Sequence, residues 1–332
     1  MSAKILSRAS RWSWLVLGLA CIELGMSLPA RAHAQAQTDN EWWPSEWGPE
    51  DERGASNRIT ADRIVQAARL ITEGRIYSLG RVYEPGMPSF GNRHFSLTLP
   101  GKPTGGPMGA NQVVYNDELF SGEIGQIGTQ FDGLGHIGTR VGEEDIFYNG
   151  FRLNDIHSSY GLTRLGIENA GPFFARGVLI DVAAYKGVER LPADYIITIA
   201  DIEDALQSQG STIREGDVVL FHTGHGALWM VDNERYARSN PGPGITAIRW
   251  LVERKIVMAG ADTGNVEANP GEDPERPFQG HQWLMNRHGV YNFENLDLSE
   301  LAADRVYEFA FVFTPLLMKG ATGSPGNPLA IK

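Results

Sequence analysis

Four short apolar runs constrain this chain most: residues 177–182, 217–221, 256–261 and 306–313. Each is too short for a core helix and apolar on successive residues. That is the pattern of strands covered on both faces. Residues 202–207 and 246–254 between them carry helical spacing. Upstream, Thr60 is placed to cap a helix over 61–72, with Ile64, Val65, Ala68, Leu70 and Ile71 on its apolar face and Gly74 ending it. Residues 76–82 read as a further strand. Residues 102–109 are mostly glycine and proline and read as a loop near the entrance to a site. Short strands interleaved with a few helices predict one α/β domain built on a mixed sheet, covering 56–332.

The N-terminus reads as an address. Lys4, Arg8 and Arg11 precede an apolar stretch, and the small-residue pattern around Ala32 and Ala34 follows. This is the form of a secretory signal peptide, with cleavage expected after Ala34. Glu23 and Gly25 interrupt the stretch, which falls short of the ~20 apolar residues that a membrane span needs. The expectation is an exported protein, periplasmic or secreted, with no membrane attachment after cleavage. Residues 35–55, rich in Trp, Glu and Pro, are expected to form an arm on the surface.

Charge narrows the partners. The chain carries a formal −11; its first 34 residues contribute +3, which leaves −14 for the remainder. No Lys/Arg cluster is present to neutralise phosphates, so nucleic acid is excluded as a partner and a small molecule is expected. The single cysteine, Cys21, lies inside the signal segment. The exported chain therefore has no thiolate, and any metal must be held by nitrogen and oxygen.

Chemistry concentrates in Gln126-Ile127-Gly128-Thr129-Gln130-Phe131-Asp132-Gly133-Leu134-Gly135-His136. Glycines allow close turns, and Gln130 and Asp132, two apart, share one face of an extended segment. A second polar cluster begins at Asp262-Thr263-Gly264 after a buried run and continues through Glu267, His281, His288 and Glu294-Asn295. Polar groups at a strand's carboxyl end are where α/β sites form.

These residues resemble the metal-dependent cyclase and arylformamidase-like hydrolases, the family of kynurenine formamidase and isatin hydrolase, whose hallmark reads H-x-G-T-H-x-D-x-P-x-H. Gly128, Thr129, Asp132 and His136 match it, while Gln126, Gln130 and Leu134 depart. Further similarities lie at residues 85–88 with Phe90, at 176–181, at 216–224, at His281 and Glu294, and at 320–325. The resemblance implies a single domain of the swivelling β/β/α type, assembled as homodimers or homotetramers, that hydrolyses a C–N bond or a related ester or lactone in a small cyclic or aromatic substrate. Carried over residue by residue, it implies Gln130, Asp132, His281 and Glu294 as metal ligands, Gln126 as a weak ligand or a partner of Asp132, and His136 or His281 as the proton carrier. Phe90 is implied as a substrate contact, and His225, after the Thr223-Gly224 turn, is expected near the pocket. With amides in place of two imidazoles the donor set is oxygen-rich. One divalent ion is expected, Mn²⁺ ahead of Zn²⁺. The competing expectation is an exported small-molecule-binding protein that keeps the fold and has lost catalysis.

Overall fold

The computed structural model describes residues 42–332; the expected signal segment lies outside them. Nine strands form one mixed sheet: β1 (Ile76–Ser78), β2 (Gln130–Asp132), β3 (Phe173–Asp181), β4 (Val218–His222), β5 (Met258–Ala261), β6 (Tyr291–Glu294), β7 (Glu308–Phe313), β8 (Gly323–Pro325) and β9 (Leu329–Ile331). Their spatial order is β1-β9-β7-β3-β4-β5-β6-β2-β8. The central four, β3 to β6, run parallel, and the flanking strands are antiparallel. The four constraining runs became β3, β4, β5 and β7, and all are lined by buried residues. Burial of both faces explains why those runs do not alternate. Among the described residues no helix is long and apolar enough to cross a membrane.

Helices form where caps allow them. In α2 (Ile199–Gln209), Thr198 and Asp201 make a reciprocal capping box and Gly210 ends the helix in the left-handed region, at φ 68°. Helix α3 (Ile245–Glu253) buries Ala247, Ile248 and Leu251. Helix α1 (Ala61–Ala68) starts at the Thr60 cap as expected but stops four residues early. Its supposed apolar face is largely outward, with Val65 52% exposed. Only Ala67 is buried from this helix, so packing gives it little reason to continue.

One other segment, 102–109, differs from expectation. Residues 42–55 do lie mostly exposed or half-buried, but they are tied to the domain. Trp42 donates from its indole nitrogen to the Asn286 carbonyl (3.0 Å), Asp51 accepts from the Tyr148 hydroxyl (2.7 Å), and Ala55 is fully buried. Residues 102–109 belong to an outlying pair of hairpins. Phe95–Thr98 pairs with Leu119–Gly122, and beyond it Gly105–Met108 pairs with Val113–Tyr115. This arm is exposed nearly throughout and does not line the site cavity.

Candidate metal centre

Strand β2 divides its three residues between two environments. Phe131 turns into the core, where its ring lies 5.1 Å from each of Tyr291, Phe173 and Phe313. Gln130 and Asp132 take the opposite face and are buried. The strand registers against β6 with Glu294 opposite Gln130 and Asn292 opposite Asp132. The first motif and the late acidic cluster therefore meet as neighbours in one sheet.

The preceding turn is tied to the same place. Gly128 adopts φ 61°, and a Cβ there would lie 2.7 Å from the Tyr83 ring. Asn295, the residue after Glu294, donates to the Gly128 carbonyl (2.7 Å) and accepts from the Thr129 hydroxyl through its own carbonyl (2.9 Å). The Gly-Thr pair thus docks β2 onto the end of β6. On the other side, the Gly133 N–H donates to the Thr322 carbonyl (2.9 Å), which anchors the turn that presents His136.

Asp132, His281 and Glu294 each offer an atom within 4.8 Å of the others. His281 Nε2 lies 3.0 Å from Glu294 Oε1 and 3.8 Å from Asp132 Oδ2. Its Nδ1 faces Glu267 Oε2 at 2.6 Å, and its backbone N–H donates to Glu267 Oε1 (3.2 Å). This is the carboxylate–imidazole arrangement that fixes a ligating histidine's orientation and tautomer. Glu267 is the residue that sequence reasoning undervalued; nothing in its spacing announces a contact with His281.

The two glutamines complete the cluster. Gln126 Nε2 donates to Asp132 Oδ1 (2.9 Å), and Gln130 Nε2 donates to Glu294 Oε2 (3.0 Å). With the amide nitrogens so engaged, Gln126 Oε1, Gln130 Oε1 and Asp132 Oδ2 are buried without a hydrogen-bonding partner among the described residues. Orphaned buried acceptors are costly. Three of them beside an imidazole and a second carboxylate fit a cation.

The electrostatics agree. Burial, then the neighbouring Asp132, pushes the Glu294 carboxyl up to about 7. Burial works against charge on His281, but Glu267 and Glu294 outweigh it and hold the imidazole well above its ordinary value. Burial likewise disfavours the Glu267 carboxylate, and His281 reverses this to bring it below its usual range. His136 differs: burial pushes its pKa down, Asp132 opposes, and His281 and Arg93 add to the lowering.

These groups open on a cavity of about 190 Å³ lined by Gln126, Gln130, Glu294, His281, His136 and Phe90 among others. His225 is not there, contrary to expectation. It is fully buried under the neighbouring turn, with Nε2 against the Tyr236 carbonyl (3.1 Å) and its ring packed on Tyr236. The Thr223-Gly224 turn points it into the protein. Asp262 accepts from the Thr223 and Gly226 N–H groups and so shapes that turn instead of the cavity.

A mixed α/β sheet whose strand ends converge on carboxylates and an imidazole defines a class of metal-site domain. More particularly, the chain belongs to the cyclase family, whose profile, described as "Putative cyclase", matches residues 77–268. His281 and Glu294 lie beyond that match, and the fold alone brings them to it. The chain is 30% identical over 145 residues to the isatin hydrolase of Roseibium aggregatum, which is 42% of this chain and 53% of that protein, so it matches about half the length of that relative. A crystal structure of a novel cyclase is similar at 34% identity over 87% of this chain and 98% of that one, with a TM-score of 0.76. Isatin hydrolase A from Labrenzia aggregata, bound to benzyl benzoate, shares the fold at 24% identity over 77% of this chain and 93% of its own, with a TM-score of 0.56.

Proposed function

We propose that this chain is a metal-dependent hydrolase that cleaves a C–N bond (amide, lactam or formamide), or a related ester or lactone, in a small cyclic or aromatic substrate. The observation that carries the reading is the convergence of Asp132, His281 and Glu294, with orphaned oxygens of Gln126, Gln130 and Asp132, at one cavity wall. Membership in the cyclase family and the isatin hydrolase relative support it.

Gln130, Asp132, His281 and Glu294 would hold the ion, with Gln126 steadying Asp132. An ion bound there supplies a Lewis acid for the scissile carbonyl and an acidified water. The oxygen-rich set favours Mn²⁺ over Zn²⁺. His281 has both ring nitrogens committed, Nδ1 to Glu267 and Nε2 to the carboxylates. These contacts support a ligand's role for His281 over a proton carrier's. His136 lines the cavity with a lowered pKa and no hydrogen bond from its ring to the described residues. It is neutral near pH 7 and free to take a proton from the attacking water and return it to the leaving nitrogen or oxygen. Phe90 lines the same cavity and offers it an apolar surface. A cavity of about 190 Å³ has room for one aromatic ring, since an apolar cavity of about 150 Å³ takes up benzene.

The same proposal includes export by the N-terminal signal and assembly as a homo-oligomer. The outlying hairpin arm supports assembly, because Leu97, Met108, Val114 and Leu119 are each at least half exposed. An uncovered two-stranded hairpin is marginal in water.

Metal analysis of the purified protein, followed by hydrolysis of a lactam, formanilide and lactone panel with and without chelator, tests the reading. Bound divalent metal and chelator-sensitive turnover are expected, and Asp132→Ala should lose both. Metal-free protein without turnover after reloading would leave a binding protein instead.

A further inference from the structure

We propose that Arg93 makes the cavity selective for a substrate that carries a carboxylate, so that the molecule hydrolysed is an anion with a planar apolar body. The inference deepens the hydrolase reading and rests on it.

The cavity wall contains one arginine, Arg93, next to Phe90, Gln126 and His136. Its only hydrogen bond among the described residues is from one guanidinium nitrogen to the Gln126 carbonyl (3.2 Å). No carboxylate of the described residues lies in ion-pair contact with it, whereas the half-buried Arg58, Arg81 and Arg164 and the buried Arg176 each have at least one. A guanidinium has five N–H donors in a planar fork suited to a carboxylate. Arg93 is half-buried, held by a single backbone contact, and keeps most of its fork available.

The carboxylates nearby have other partners. Asp132 and Glu294 would hold the ion, and Glu267 contacts His281 Nδ1 at 2.6 Å. None of the three is in ion-pair contact with Arg93. An anionic group on the substrate supplies the missing partner. Phe90 and Phe278 line the same cavity and offer faces for a ring. The arrangement describes a ring whose carboxylate points to Arg93 while its scissile carbonyl faces the ion that Asp132 and Glu294 would hold.

Calorimetric binding of benzoate and of neutral benzamide, nearly the same in shape, to the protein as isolated tests this. Charge-assisted bidentate contact predicts that benzoate binds at least about tenfold more tightly. Arg93→Gln should erase the difference and Arg93→Lys should restore part of it, with circular dichroism confirming that each variant is folded. Equal binding of the two probes, or a benzoate preference that survives in Arg93→Gln, overturns the proposal. So does failure of benzoate to bind at all. These measurements need no turnover, so the metal and chelator assays can fail while the selectivity holds, or the reverse.

Discussion

Replacing Glu267 with Gln removes a charge without removing volume, and the geometry gives its cost. Glu267 accepts twice from His281, at Nδ1 (2.6 Å) and at the backbone N–H (3.2 Å). An amide has one acceptor oxygen. If that oxygen keeps Nδ1–H, the NH₂ group faces the His281 N–H, donor against donor. If it turns round, the ring loses its orienting partner. Either way one charge-assisted hydrogen bond of about 1.5–3 kcal/mol is lost or weakened. Partners that orient a ligating histidine typically carry 10- to 100-fold in metal affinity. Glu267→Gln is therefore expected to weaken metal binding by about that factor while leaving the fold intact. Calorimetric titration of metal-stripped protein with Mn²⁺ and Zn²⁺ measures it, beside thermal melts of the stripped forms. A variant that binds both ions as wild type does would refute the claim that Glu267 acts through His281.

Three further outcomes follow from particular contacts. A Cβ at Gly264 would lie 1.9 Å from the Phe90 ring; Gly264→Ala should displace Phe90 and raise KM several-fold with less effect on kcat, the signature of altered binding in place of altered chemistry. Burial, with Arg287 and Arg58, lowers the His288 pKa to about 4. Its folded value is below its unfolded one, so its stabilising contribution is whole above pH ~6.5 and declines as pH falls toward 4, by about 3 kcal/mol in all. A folded His288→Gln variant should thus lose less stability than wild type between pH 7 and 4.5 in denaturant titrations, and parallel losses would contradict this. Thr98 pairs with Leu119, so an Asn-Gly turn can replace residues 99–118 and close the inner hairpin; light scattering should then report a smaller assembly than the full chain forms, and an unchanged mass would place the interface elsewhere.

The strand core was legible because burial on both faces writes itself as an unbroken apolar run. The partners of a buried polar group leave no such pattern. Gln130 and Asp132 could be assigned to one face from their spacing alone, but only the β2–β6 register sets Glu294 opposite Gln130. Glu267 lies 14 residues before His281 and meets it through the short helix Gln279–His281, which follows a left-handed Phe278 at φ 54°. Periodicity contains nothing of that return. His225 shows the opposite failure. A turn beside a strand end suggested the pocket, yet Gly224 at φ 75° directs the chain so that the imidazole enters the core. Helix α1 ended early for a third reason: it meets the sheet through Ala67, while Ile64 and Val65 of its apolar spacing face outward.

The two glutamines are better understood from their hydrogen bonds than from their departure from a motif. A neutral imidazole donates from one ring nitrogen and accepts at the other. A primary amide makes the free acceptor an oxygen: Nε2 donates to a carboxylate while Oε1 stays free. In this site Gln126 steadies Asp132 and Gln130 steadies Glu294 in this way, and each leaves an oxygen buried and unpartnered. The amides therefore do two things that work together. They donate hydrogen bonds to Asp132 and Glu294, two carboxylates whose mutual repulsion, after burial, contributes to holding Glu294 up to about 7. They also add neutral oxygen donors where a hard divalent ion prefers them. The site thus keeps the carboxylates that would balance a divalent ion's charge and sets two unpartnered neutral oxygens beside them.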